Sequence, residues 1–74
     1  MTREQKILSE MNREELRLKR AVEENNNAMV QHYEGKIEGF TRMLTLLSYR
    51  VEKEEIADLN GYSIYKYTNI YDVR

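Results

Sequence analysis

Apolar positions recur at helical spacing from the amino terminus to about residue 57 and give way to an aromatic, β-branched run after residue 61. In the first segment Ile7, Met11, Leu18 and Val22 keep to one stripe, with Leu8 beside it and Glu15 interrupting its edge. Thr2 can cap this helix, and Gln5 stands at the reciprocal position of a capping box. Glu14 with Arg17 and Glu15 with Lys19 have the ion-pair spacings that help an isolated helix by ~0.2–0.5 kcal/mol each. Only Leu16 faces well away from the stripe. The spacing predicts a helix over about 2–24.

A second helix is predicted over about 28–57, with Met29, Tyr33, Ile37, Phe40, Leu44, Leu47 and Val51 as its apolar stripe. Ala28, Gly35, Gly39 and Leu46 form another row about 130° from the centre of that stripe, interrupted by Arg42 and Lys53. One neighbour cannot easily cover both. Gly35 and Gly39 have the small-xxx-small spacing of a close helix crossing, and each costs a helix about 1 kcal/mol relative to Ala. A compensating contact is therefore expected, with a second copy, with the first helix or with a partner protein.

Asn25, Asn26 and Asn27 punctuate the two segments, since their amides compete for backbone groups and favour caps and turns. Two arrangements fit. One is an antiparallel helical hairpin turning at 25–27. The other is a single helix, about 80 Å long at ~1.5 Å per residue, with Asn25 or Asn26 fixing the register of a parallel coiled coil. The stripe changes phase between Val22 and Tyr33, which the hairpin explains without further assumption. In the hairpin the second helix outruns the first, leaving Val51 and Ile56 for the tail to cover.

Asp58-Leu59-Asn60-Gly61 reads as the stop of the second helix, with Gly61 in the left-handed position. The tail over 62–74 reads as extended chain, either one strand or a short hairpin turning at Thr68-Asn69. Alternation puts Tyr65, Tyr67, Tyr71 and Val73 on one face and Tyr62, Ile64, Thr68 and Ile70 on the other. Tyrosine combines a large contact area with a polar tip, so Tyr62, Tyr65, Lys66, Tyr67 and Tyr71 are the candidate partner-binding residues. The same rings would also serve to cap Val51 and Ile56. The fold class is thus mainly α, one small domain over 1–74 with a Tyr-rich β tail.

Composition acts mostly by exclusion. A chain of 74 residues has one modest core, and below roughly 70–80 residues such a core rarely yields more than ~3–5 kcal/mol without a staple. There is no Cys, so disulfides and thiolate metal sites are ruled out; one His and no Trp give no reason to expect a cofactor. Self-association is the remaining route to stability, with Ala28, Gly35, Gly39 and Leu46 as candidate oligomer interface. Ser9, Ser48 and Ser63 lie in no nucleophile elbow, His32 has no carboxylate at helical spacing, and Glu52, Glu54, Glu55 and Asp58 read as a solvated helix end. Catalysis is not expected.

Charged residues make up 34% of the chain at a net charge of −1, without the basic excess of a typical nucleic-acid binder. Lys6, Arg13, Arg17 and Arg20 do gather on one side of the first helix, broken by Glu10 and Glu24, and Tyr65-Lys66-Tyr67 could stack on bases. No charged and apolar leader pattern opens the chain, and the apolar cluster over Met43–Leu47 is too short to span a bilayer. A cytoplasmic location off the membrane is expected. The size, and a composition suited to an AT-rich genome, bring small bacterial, phage or mobile-element proteins to mind. The expected function is that of a non-enzymatic interaction protein, an inhibitor or adaptor that works as a homo-oligomer on an unidentified protein partner. The alternative is a nucleic-acid-binding regulator.

Overall fold

Thr2 opens the first helix through the capping box its spacing predicts. In the computed structural model, which describes residues 1–74, Thr2 Oγ1 accepts the Gln5 N–H at 3.1 Å and Gln5 Oε1 accepts the Thr2 N–H at 2.8 Å. Helix α1 runs Arg3–Glu23. The chain then reverses within three residues, 24–26: Asn25 takes φ +56°, and Asn26 caps helix α2 (Asn27–Leu46) by accepting the Met29 N–H at 3.2 Å. The asparagine run therefore makes a turn, and the continuous coiled-coil helix does not form. Leu18, Ala21 and Val22 of α1 meet Val30 of α2 in a buried cluster, with Met29, Tyr33 and Ile37 packed around it.

The second helix ends well before residue 57. Ser48 adopts φ +65°, and Tyr49–Leu59 form strand β1. Leu47 and Val51 keep helical spacing with Leu44, and the glutamates between Val51 and Ile56 favour helix, so the local pattern points the wrong way. Pairing with the tail overrides it. Tyr62–Asp72 form strand β2, antiparallel to β1, and the two make the only sheet. Asn60-Gly61 is thus a two-residue hairpin loop and no helix stop. Its φ values of +52° and +85° are both positive, as in the type I′ turns whose twist matches paired strands.

Two irregularities set what the hairpin buries. Thr68 is an extra residue in β2 between the pairs Glu52–Asn69 and Lys53–Tyr67, and Ile56 is an extra residue in β1 between Glu55–Tyr65 and Ala57–Ile64. Tyr67 and Ile70, three apart, therefore oppose Lys53 and Val51, two apart, and can share a face. Simple alternation assigns them to opposite faces, which the bulge corrects; of the two readings of the tail, the single strand forms and the turn at Thr68-Asn69 does not. Ile64, Tyr67 and Ile70 are all buried. Ile64 completes the cluster near the helical turn, while Tyr67 and Ile70 join Met11 and Leu44 in a second one, flanked by Ile7, Phe40, Tyr49 and Val51. Val51 is covered by the tail, as expected, but as a ladder neighbour paired with Ile70; Ile56 remains half exposed on its bulge.

The two edges of the sheet are treated differently. In the middle of β2, backbone groups of Tyr65 and Tyr67 are taken by α1. Asn12 Oδ1 accepts the Tyr67 N–H at 2.7 Å, Asn12 Nδ2 donates to the Tyr67 C=O at 3.1 Å, and Glu15 Oε2 accepts the Tyr65 N–H at 3.4 Å. No segment pairs with the outer edge of β1, whose middle carries Glu52, Lys53, Glu54 and Glu55.

Candidate interaction surfaces

The row Ala28, Gly35, Gly39 and Leu46 lies on the outer side of α2, and all four residues are exposed. A Cβ at Gly35 or Gly39 would meet nothing within 4 Å, so neither glycine marks a close crossing with α1. That intramolecular explanation falls away, because α2 rests on α1 and the sheet through its other stripe. The row runs into an apolar end. Leu46 is 79% exposed, and Met43 and Leu47 are also open to solvent. The Val73 N–H donates to the Ser48 C=O at 2.8 Å, which brings exposed Val73 to the α2–β1 junction next to Leu47.

The tyrosine tail does not form one surface. Tyr67 is 4% exposed, a core residue whose hydroxyl donates to Glu15 Oε1 at 3.0 Å, so it cannot be a partner contact in the folded chain. Tyr62 is half buried against the cluster near the turn, and Tyr65 is half buried with the Lys53 ammonium 4.2 Å from its ring centroid. Only Lys66 and Tyr71 of the five candidates are exposed. A strand that must fill two hydrophobic clusters has little aromatic surface left over.

Three of the four basic candidates come together in one place. Arg13, Arg17 and Arg20 line a groove of about 420 Å³ between α1 and α2, whose apolar lining is Leu16, Ala21, Met29 and Tyr33. Leu16, the residue that faces away from the α1 stripe, belongs to this groove and is 59% exposed. Glu24 and Asn26 close its end at the helical turn. Lys6 is exposed two turns earlier on α1 and does not line it. Arg13 pairs with Glu10 at 3.1 Å, Arg17 pairs with Glu14 at 2.8 Å, and Arg20 has no ion pair.

Two buried carboxylates, neither foreseen as buried, position these surfaces. Glu14 is 2% exposed, and its Oε1 accepts from Arg17 Nη1 and, across the helix pair, from Lys36 Nζ at 3.3 Å, while its Oε2 has no hydrogen-bond partner. Arg17 is thereby held at the groove by a charge inside the fold. Glu15 does not reach Lys19; it turns inward to Tyr67 and the Tyr65 N–H. Burial pushes the Glu15 carboxyl above its ordinary range, against the lowering effect of the Tyr67 and Tyr65 bonds and Lys53. The Tyr67 phenol is pushed well above its usual value by burial and by the adjacent Glu15 charge. The signal for Glu15 was available as a charged residue on an apolar stripe; Asn12 carried none.

No helix is long and apolar enough to cross a membrane, and no group of three His, Asp or Glu side chains is placed to hold a metal ion. No protein-family model, curated protein or solved structure matches the chain.

Proposed function

We propose that this chain is a non-enzymatic, cytoplasmic interaction protein that self-associates through the outer face of α2 and acts by occluding or bridging another macromolecule. One observation carries the reading: a Cβ at Gly35 or Gly39 would meet nothing within 4 Å, and their helix face continues into exposed Met43 and Leu46. Two glycines cost an isolated helix about 2 kcal/mol, and nothing inside the fold offsets that cost. A second α2 packed across them would. The nucleic-acid alternative has less support, because Lys6 lies off the groove that gathers the other three basic residues and Tyr67 is buried.

Sedimentation equilibrium at about 100 μM tests the reading by mass action. A mass that is a multiple of 8.9 kDa is expected, falling to 8.9 kDa for Gly39→Leu with helicity retained. A parent mass of 8.9 kDa at that concentration would refute self-association.

A further inference from the structure

We infer that the groove between α1 and α2 is a docking site for an acidic amphipathic helix of a partner protein, which seats apolar side chains on Leu16, Met29 and Tyr33 and carboxylates on Arg13, Arg17 and Arg20. The inference rests on the reading of this chain as an interaction protein and supplies the chemistry of its partner. The groove joins two features that call for one kind of occupant. Its lining includes the apolar Leu16, Ala21, Met29 and Tyr33, and Leu16 stands 59% exposed with no neighbour in the fold to cover it. Its α1 rim holds three guanidinium groups, and these are not equivalent: Arg20 is unpaired, Arg13 is held only by half-buried Glu10, and Arg17 is fixed by buried Glu14 through one Nη atom. The remaining N–H groups of Arg17 stay free for a second carboxylate.

Spacing favours a helix over an extended segment. Arg13 and Arg20 are seven residues apart, about 10 Å along the axis, which two turns of an incoming helix match with acidic residues at i, i+4 and i+7. Two antiparallel helices also present the ridges between which a third packs. Phosphates would meet the same arginines, but the apolar side chains of Leu16 and Met29 have no partner on a sugar–phosphate backbone, whereas the apolar stripe of a helix covers them.

Fluorescence anisotropy with the full chain tests this. The probe is a fluorescein-labelled synthetic helix with Leu along one stripe and Glu at i, i+4 and i+7 beside it. Its two comparators are the same peptide with Lys in place of Glu and an oligo-dT strand. Saturable binding of the acidic peptide alone is expected, weakened about tenfold or more by Arg20→Glu and by Leu16→Glu. Both positions are exposed, and the thermal midpoint of each variant is measured alongside. Equal binding of the Lys peptide, binding of oligo-dT in place of the acidic peptide, no binding of the acidic peptide, or unchanged affinity in both variants would each overturn the assignment. Sedimentation of the same samples reads self-association separately. A monomer that binds the peptide defeats only the α2 interface, and an oligomer that ignores it defeats only the groove.

Discussion

The side chain of Asn12 holds both polar groups of the Tyr67 backbone, accepting its N–H at 2.7 Å and donating to its C=O at 3.1 Å. A primary amide presents a donor and an acceptor in one plane, so this side chain does for β2 what the peptide group of a third strand would do. The helix is tied to the sheet at the residue that also fills the core, and removing the amide strands two backbone groups at once.

Asn12→Ala is therefore expected to cost roughly 2–4 kcal/mol, since each buried backbone group left unpaired costs ~1–3 kcal/mol. Asn12→Asp keeps the acceptor but loses the donor to the Tyr67 C=O, and should fall between Ala and parent. Urea unfolding followed by circular dichroism gives both values, and an Asn12→Ala midpoint equal to that of the parent would show that water serves Tyr67 as well.

The buried Glu15 carboxyl makes stability depend on pH in a definite direction. Its folded pKa is raised above 4.5, so the folded state binds its proton more tightly than the unfolded chain does. The stabilising contribution is complete below 4.5 and is lost as pH rises through the raised value. Glu15→Gln cannot ionise and still accepts the Tyr67 hydroxyl, so its stability should vary less with pH over that window. Unfolding free energies at pH 4 to 8 for both proteins would decide it, with parallel curves counting against a raised Glu15.

The hairpin loop needs residues that tolerate positive φ. Gly61→Val places a β-branched side chain at φ +85°, where strain of about 1–2 kcal/mol is expected even though nothing lies within 4 Å of the new Cβ. Space is therefore not the cause, and Gly61→Ala should be nearly as harmful. The opposite holds on α2. Gly35→Ala has equal room and ordinary helical φ, so in dilute monomer it should stabilise by about 1 kcal/mol. A thermal melt in which Gly61→Ala improves stability or Gly35→Ala lowers it would contradict the backbone argument.

Truncation after Gly61 removes Ile64, Tyr67 and Ile70, which supply both hydrophobic clusters. The shortened chain is expected to lose its cooperative transition, because four of the remaining core residues, Met11, Leu18, Val22 and Leu44, lose the strand they pack on. Retention of a sharp melt near that of the parent would mean that the helical pair folds alone.

Local signals in the sequence were read correctly where one physical cause acted. Thr2 with Gln5 and the asparagine run behaved as a cap and a turn because nothing distant competes with them. Residues 49–59 misled because the glutamates and the i, i+4 spacing of Leu47 and Val51 favour a helix, while the decisive interaction is with a strand that follows them. The hint was Asn60-Gly61, whose preference for two-residue hairpins outweighs its use as a helix stop when β-branched and aromatic residues flank it. The buried face of the tail was out of reach of alternation because the bulge at Thr68 lets Tyr67 and Ile70, three apart, share a face. Of the surfaces, the open glycine row and the misfit Leu16 were legible in the helical projection; the groove that gathers three arginines needed the angle between two helices.

The unequal edges of the sheet have a consequence for growth. A strand edge behaves like a reactive end group, and a molecule with two of them can polymerise, as fibril-forming chains do. Here Asn12 and Glu15 occupy outward groups of Tyr67 and Tyr65 in the middle of β2, so the open run of backbone groups lies along β1. Two copies that joined through β1 would each cover the other's open run. The small side-chain amide of Asn12 thus acts as a stopper at the centre of β2, turning strand addition toward the other edge.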